Sequence, residues 1–165
     1  MDWTDRSTCV LFGDGAGAAV LSVSEEDGIL SMVQCSDGFR GDVLNCMARK
    51  VNNPYKKNDT ALSYISMNGQ EVYRFAVKTV PKAVTDAVEK AGLQLEEIDL
   101  FLLHQANYRI IEAVSKRLGQ PMEKFPTNLE ECGNISAASV PILLDNVNNH
   151  GMMRKGMKIV LAGFG

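Results

Sequence analysis

The apolar positions of this chain change period along its length. Residues 8–12 (Thr8-Cys9-Val10-Leu11-Phe12) predict a strand, Gly13-Asp14-Gly15-Ala16-Gly17 a turn, and residues 18–23 and 28–34 two further strands. Residues 36–61 are rich in Gly, Asn, Asp and Lys and contain Asn53-Pro54, which predicts an irregular excursion. From Asn68 the period becomes helical. Asn68 and Glu71 stand at the spacing of a capping box, and Val72, Phe75, Val80, Val84, Val88 and Ala91 continue one apolar face until Gly92 closes it. Pro81 falls inside this pattern and should kink or split the helix. Leu100 to Leu103 reads as a short buried strand ending at His104. Asn107 then caps a second helix, with Ile110, Ile111, Val114 and Leu118 inward and Gly119 as its stop. A third helix runs from about Ser136 to Asn149, and a terminal strand from Lys158 runs into Gly163-Phe164-Gly165. Strands alternating with helices predict an α/β layered domain, and no internal repeat interrupts it.

Composition narrows the class. The 165 residues are 45% hydrophobic and 22% charged, which fits one domain with a core and excludes a disordered, collagen-like or coiled-coil chain. No apolar run approaches the roughly 20 residues of a membrane span, and the first residues do not form a signal peptide. The expectation is a cytoplasmic protein without a membrane partner. With 17 basic against 20 acidic residues the net charge is −3, which disfavours general nucleic-acid binding. Cys9, Cys35, Cys46 and Cys132 show no C-x-x-C pairing, and His104 and His150 are the two histidines. Neither a zinc site nor a disulfide framework is expected, and no metal. Both ends adjoin apolar strands, which is expected of a piece cut from a longer protein rather than a complete domain.

Three segments carry candidate chemistry. Gly13-Asp14-Gly15-Ala16-Gly17-Ala18 formally matches a dinucleotide fingerprint, with Asp37 about twenty positions on. That fingerprint needs a helix straight after the glycines, yet Ala19-Val20-Leu21-Ser22-Val23 reads as strand. A glycine-rich hairpin that admits a close backbone approach is the better reading. His104, at the end of a buried strand where a helix begins, occupies the usual position for ligands in α/β sheets. It can donate, accept or shuttle a proton near neutral pH, or it can be structural. Cys132-Gly133-Asn134-Ile135-Ser136-Ala137-Ala138-Ser139 allows a close approach and offers the Asn134 amide. The plainer reading is a tight turn with Asn134 and Ser136 competing as the cap.

Taken together, Cys9 to Gly17, His104-Gln105-Ala106-Asn107 and Gly133 to Ser139 resemble, in order and spacing, the C-terminal half of β-ketoacyl-acyl-carrier-protein synthase III. The resemblance runs from Asp2 to Gly165 and departs mildly at Ile135, where the family more often has Thr. It implies a thiolase-like layered fold with a mixed β-sheet flanked by helices. Residues 1–165 then form one C-terminal thiolase-like domain, with the N-terminal half and a last strand outside it. The resemblance also implies that the family's acyltransferase reaction, a decarboxylating Claisen condensation, joins an acyl-CoA primer, commonly acetyl-CoA, to malonyl-acyl carrier protein to initiate fatty-acid synthesis. His104 and Asn134 are implied as the pair that promotes malonyl decarboxylation. The nucleophilic cysteine belongs to the other half, so the chain alone should be inactive.

The same resemblance implies that Gln105, Ala106, Asn107, Tyr108 and Arg109, with Arg74, Lys116 and Arg117, dock the carrier protein. Asn107, Phe164 and Gly165 should contact the pantetheine arm or line its tunnel. Arg74, Lys78 and Lys82 recur at i, i+4 and i+8, a basic face suited to an acidic helical partner, although for Lys78 and Lys82 a solvated face is an equal reading. No cofactor is implied beyond the substrates, acyl-CoA and a phosphopantetheine-linked malonyl group. The full-length enzyme is expected to be a homodimer. Alternatives are a polyketide starter synthase with the same His–Asn pair, a non-enzymatic carrier-binding module, and a nucleotide-binding domain.

Overall fold

The computed structural model describes residues 1–46, 55 and 63–165. Much of the predicted excursion at 36–61 lies outside the described residues. Its described part forms a 3-10 helix, Gly38–Val43, and strand β1, Leu44–Asn45, which pairs antiparallel with β2, Ser66–Met67.

Helix α1 spans Gly69–Lys90. Asn68 caps it as expected, accepting the Glu71 N–H on its side-chain oxygen at 3.2 Å. The reciprocal half of the box is replaced: the Asn68 N–H goes to the Val43 carbonyl at 2.8 Å, and Glu71 pairs instead with Arg74. The helix is not split at Pro81; it runs unbroken through the proline, whose ring is buried. Proline removes one main-chain bond, and the packed face of Val77, Val80 and Val84 holds the helix around that gap.

Strand β3, Leu100–Leu103, is buried at every position. Phe101 and Leu103 face α1 and helix α2, Tyr108–Leu118, and pack with Val84, Ile111 and Val114. Leu100 and Leu102 face the opposite way, onto Leu143 and Val147. Those two residues belong to helix α4, Ser139–Asn149, which follows the short α3, Leu129–Cys132. Alternation along a strand sends successive side chains to opposite faces, so a run apolar at every position is what a strand between two helical layers requires. Burying each such side chain stabilises the fold by about 1.5–3 kcal/mol. Strand β4, Ile159–Ala162, pairs parallel with β3, Leu100 opposite Ile159 through Leu103 opposite Ala162. A parallel pair needs a long crossover, which α2, α3 and α4 supply. The layered α/β expectation holds, with the described strands grouped as two pairs.

Three strand expectations fail. Residues 8–11 are turn, and Phe12 alone makes an isolated parallel bridge, to Asn134. Cys9 lies half-buried in that turn rather than in a strand. Residues 18–23 and 28–34 have no strand structure and form no hairpin. Val20 is 98% exposed and Val23 102%. Strand preference is a preference for a pleated, half-buried surface, and no neighbouring strand among the described residues offers one here. The third helix also starts differently, with a 3-10 turn at Ser136–Ala138 before α4, because Ser136 has a left-handed φ of 54°.

Candidate active site

One cleft of about 450 Å³ is lined by His104, Ala106, Asn107, Asn134, Phe164 and Gly165, with Met67, Val72 and Tyr73 among its apolar wall. The two polar residues of interest reach it from different segments, the end of β3 and the loop after α3. His104 leaves the end of β3, its N–H bonded to the Ala162 carbonyl at 2.8 Å. The Phe164 ring meets the imidazole edge-on, with centroids 5.1 Å apart and planes at 80°. Burial lowers the imidazole pKa below the ordinary histidine value, so at neutral pH the ring is uncharged.

Asn134 is held by main-chain bonds on both sides. Its N–H donates to the Leu11 carbonyl at 2.9 Å, and its carbonyl accepts the Gly13 N–H at 3.0 Å. Its side-chain oxygen accepts the Ser136 N–H at 3.0 Å, which commits that atom and leaves Nδ2 as a donor. Gly133, at φ 66° and ψ −161°, adopts a conformation nearly confined to glycine. A Cβ on Gly13 would lie 2.3 Å from the Cys132 carbonyl oxygen. Glycine at 13 thus permits the contact that seats Asn134.

The glycine segment accordingly serves close approach. No helix follows Gly17, so the dinucleotide reading is overturned. A Cβ on Gly15 would meet Ile135 and Ile142, and one on Gly17 would meet Pro141.

The proposed docking residues separate. Tyr108 and Arg109 are exposed at the head of α2, where Asn107 caps by accepting the Arg109 N–H at 2.8 Å. Arg117 is exposed, and neither it, Arg109 nor Lys78 has an acidic partner among the described residues. Arg74, Lys82 and Lys116 pair within their own helices, with Glu71, Asp86 and Glu112. Gln105, by contrast, is fully buried and presents no surface to a partner. Sequence reasoning missed this; the fully apolar strand just before it was the available signal. Among the described residues no cysteine lines the cleft, and no cluster of three metal-ligating side chains occurs. No described helix is long and apolar enough to cross a membrane.

The scaffold that brings this imidazole and this seated amide to one cleft is an α/β layered fold of the thiolase class. Comparison with known proteins gives the family. The model for the C-terminal domain of 3-oxoacyl-[acyl-carrier-protein] synthase III matches residues 88–165, and the model for 3-oxoacyl-[acyl-carrier-protein] synthase III matches residues 1–38. The β-ketoacyl-[acyl-carrier-protein] synthase III of Clostridium acetobutylicum is 48% identical over 166 residues, covering 100% of this chain and 51% of that protein. The 3-oxoacyl-[acyl-carrier-protein] synthase III of Aquifex aeolicus superposes with a TM-score of 0.87 at 39% identity, over 99% of this chain and 49% of that one. A priming β-ketosynthase of the R1128 polyketide pathway gives 0.88 at 37%, over 100% and 49%. The chain belongs to the β-ketoacyl-acyl-carrier-protein synthase III family and corresponds to its C-terminal half. It spans about half the length of the relatives it matches.

Proposed function

We propose that these residues supply the decarboxylation half of an enzyme that condenses an acyl-CoA primer, acetyl-CoA in the simplest case, with malonyl-acyl carrier protein to initiate fatty-acid synthesis. The observation that carries this reading is the convergence of His104 and Asn134, thirty residues apart in sequence, on one largely apolar cleft. Loss of carbon dioxide from the malonyl thioester leaves the C–C bond electrons on the α-carbon and, by conjugation, on the thioester oxygen. Neutral N–H donors directed at that oxygen stabilise the enolate, and removing one donor of this kind costs about 10²–10³-fold in rate. A cation at the same place would also hold the departing carboxylate and oppose its loss. The low pKa of His104 keeps its ring neutral, as the task requires. The enolate carbon then attacks the acyl thioester on the nucleophilic cysteine, and the thiolate leaves. Every electron pair in these steps comes from substrate bonds, so the reading needs no redox cofactor, and the two N–H donors supply the stabilisation of the enolate oxygen.

Asn107 and Phe164 flank the cleft and suit the pantetheine arm, with Gly165 beside them. Arg109 and Arg117, lacking acidic partners among the described residues, best suit an acidic carrier protein, with Tyr108 alongside Arg109. Lys116 and Arg74 would contribute by exchanging partners. A cytoplasmic location and a homodimeric complete enzyme belong to the same reading.

The test uses a nucleophile-complete enzyme, the chain fused to the portion of the Clostridium acetobutylicum relative that it does not cover. His104→Ala or Asn134→Ala should depress decarboxylation of malonyl-carrier protein about 10²–10³-fold, to a residual rate that can still be measured, while cysteine acylation continues; equal loss of both steps refutes the assignment. The similarity to the R1128 priming ketosynthase supports a second reading, a polyketide starter synthase. Primer specificity of the same fusion separates the two.

A further inference from the structure

We infer that Gln105 is a positioning residue that fixes the two arms of the decarboxylation pair relative to each other, an inference that rests on the reading of His104 and Asn134 given above. Gln105 follows His104 in the chain, yet its side chain is fully buried. Its Nε2 donates to the Leu103 carbonyl at 2.8 Å, and its Oε1 accepts the Asn128 N–H at 3.2 Å. One bond therefore grips the end of β3 immediately before His104. The other grips the head of the segment that leads to Asn134.

From Asn128 the connection continues along the main chain. The Asn128 carbonyl accepts the N–H groups of Glu131 at 3.2 Å and Cys132 at 3.0 Å, and the Leu129 carbonyl accepts that of Gly133 at 2.9 Å. Asn134 comes next. The Asn128 side chain does not share this work, for both of its polar atoms are buried without a hydrogen-bond partner. A buried amide that donates once and accepts once, each time to main chain, sets a distance between two backbones with little freedom to adjust. Histidine and asparagine must present their donors to one oxygen, so that distance is part of the catalytic geometry.

The test measures malonyl-carrier decarboxylation and cysteine acylation separately in the nucleophile-complete fusion. Gln105→Met keeps the volume and removes both bonds; Gln105→Glu keeps the acceptor facing Asn128. Decarboxylation should fall about 10²-fold for Gln105→Met, the order of loss expected from a misplacement near 1 Å, with acylation unchanged. Gln105→Glu should recover part of that loss. In an Asn134→Ala background Gln105→Met should cost nothing further, because its effect passes through Asn134. An undiminished loss in that background, or equal losses in both half-reactions, would make Gln105 ordinary packing and overturn the inference. Should Gln105→Met fail to fold, Gln105→Glu in the two backgrounds decides by the same criterion. Failure of the underlying reading looks different: decarboxylation then stays undiminished in His104→Ala and Asn134→Ala themselves.

Discussion

Two stretches of this chain have nearly the same sequence character and opposite fates. Leu100-Phe101-Leu102-Leu103 is wholly buried, while Ala18-Ala19-Val20-Leu21-Ser22-Val23 is exposed throughout, with Leu21 at 84%. The second stretch has the β-branched valines that favour strands, and the first has none. What separates them is what lies alongside. Leu100 to Leu103 has β4 for its hydrogen bonds and helices on both faces; no strand among the described residues pairs with 18–23. A strand is a property of neighbours, and the sequence of one stretch cannot supply them.

The sharpest way to break this comparison is in the covered strand. Leu102→Ala removes a side chain with no exposed surface, wedged against Leu143 and Val147. A loss of about 2–5 kcal/mol in urea unfolding is expected, the range for cavities of this kind. Less than about 1 kcal/mol would mean that the layer relaxes around the gap and that β3 is not the centre of the core.

The next largest effect should appear where the glycine segment that precedes the exposed stretch meets the loop bearing Asn134. Gly13→Ala sets a methyl group against the Cys132 carbonyl, so either the exposed segment or the loop bearing Asn134 must move. Overpacking against backbone costs about 1–3 kcal/mol. In the nucleophile-complete fusion the same change should depress decarboxylation while sparing acylation. A variant with intact decarboxylation would show that the glycine segment seats Asn134 for no catalytic purpose.

What could be read from sequence follows the same division. Helix α2 was legible from Asn107 to Gly119 because its cap, its apolar face and its stop are all local. The His104 and Asn134 assignments came from motif resemblance, and their convergence needed the fold. The burial of Gln105 was hinted at only by the apolar strand before it, because a polar side chain goes inside only when partners wait for it, and the Asn128 N–H is brought there by the fold. The failed strands and the unbroken passage through Pro81 have one cause: tertiary surroundings overrode local preference.

A smaller effect concerns pH. His104 has a lowered pKa in the folded state because burial disfavours its charged form. As pH falls through the unfolded histidine value, near 6.5, the unfolded chain takes up a proton that the folded chain resists. Folding stability should therefore decline on acidification through that window and recover above it. The decline should shrink in His104→Gln, which carries no titrating ring, when urea unfolding of the two is compared between pH 7.5 and 5.5. Parallel curves would show that the imidazole titrates alike in both states, and the neutral-donor argument would lose its support.

The smallest effect belongs to the exposed stretch. Val20→Ser trades an apolar side chain already open to water for a smaller polar one. Surface substitutions of this kind usually change stability by no more than about 0.5 kcal/mol. Leu102→Ala and Val20→Ser, measured side by side in the same 165-residue polypeptide, thus put the whole contrast on one scale. A cost above about 1 kcal/mol for Val20→Ser would mean that something in the protein covers residues 18–23 in solution, since burial is what makes such a valine matter. Both stretches would then obey one rule, with a neighbour present in each case.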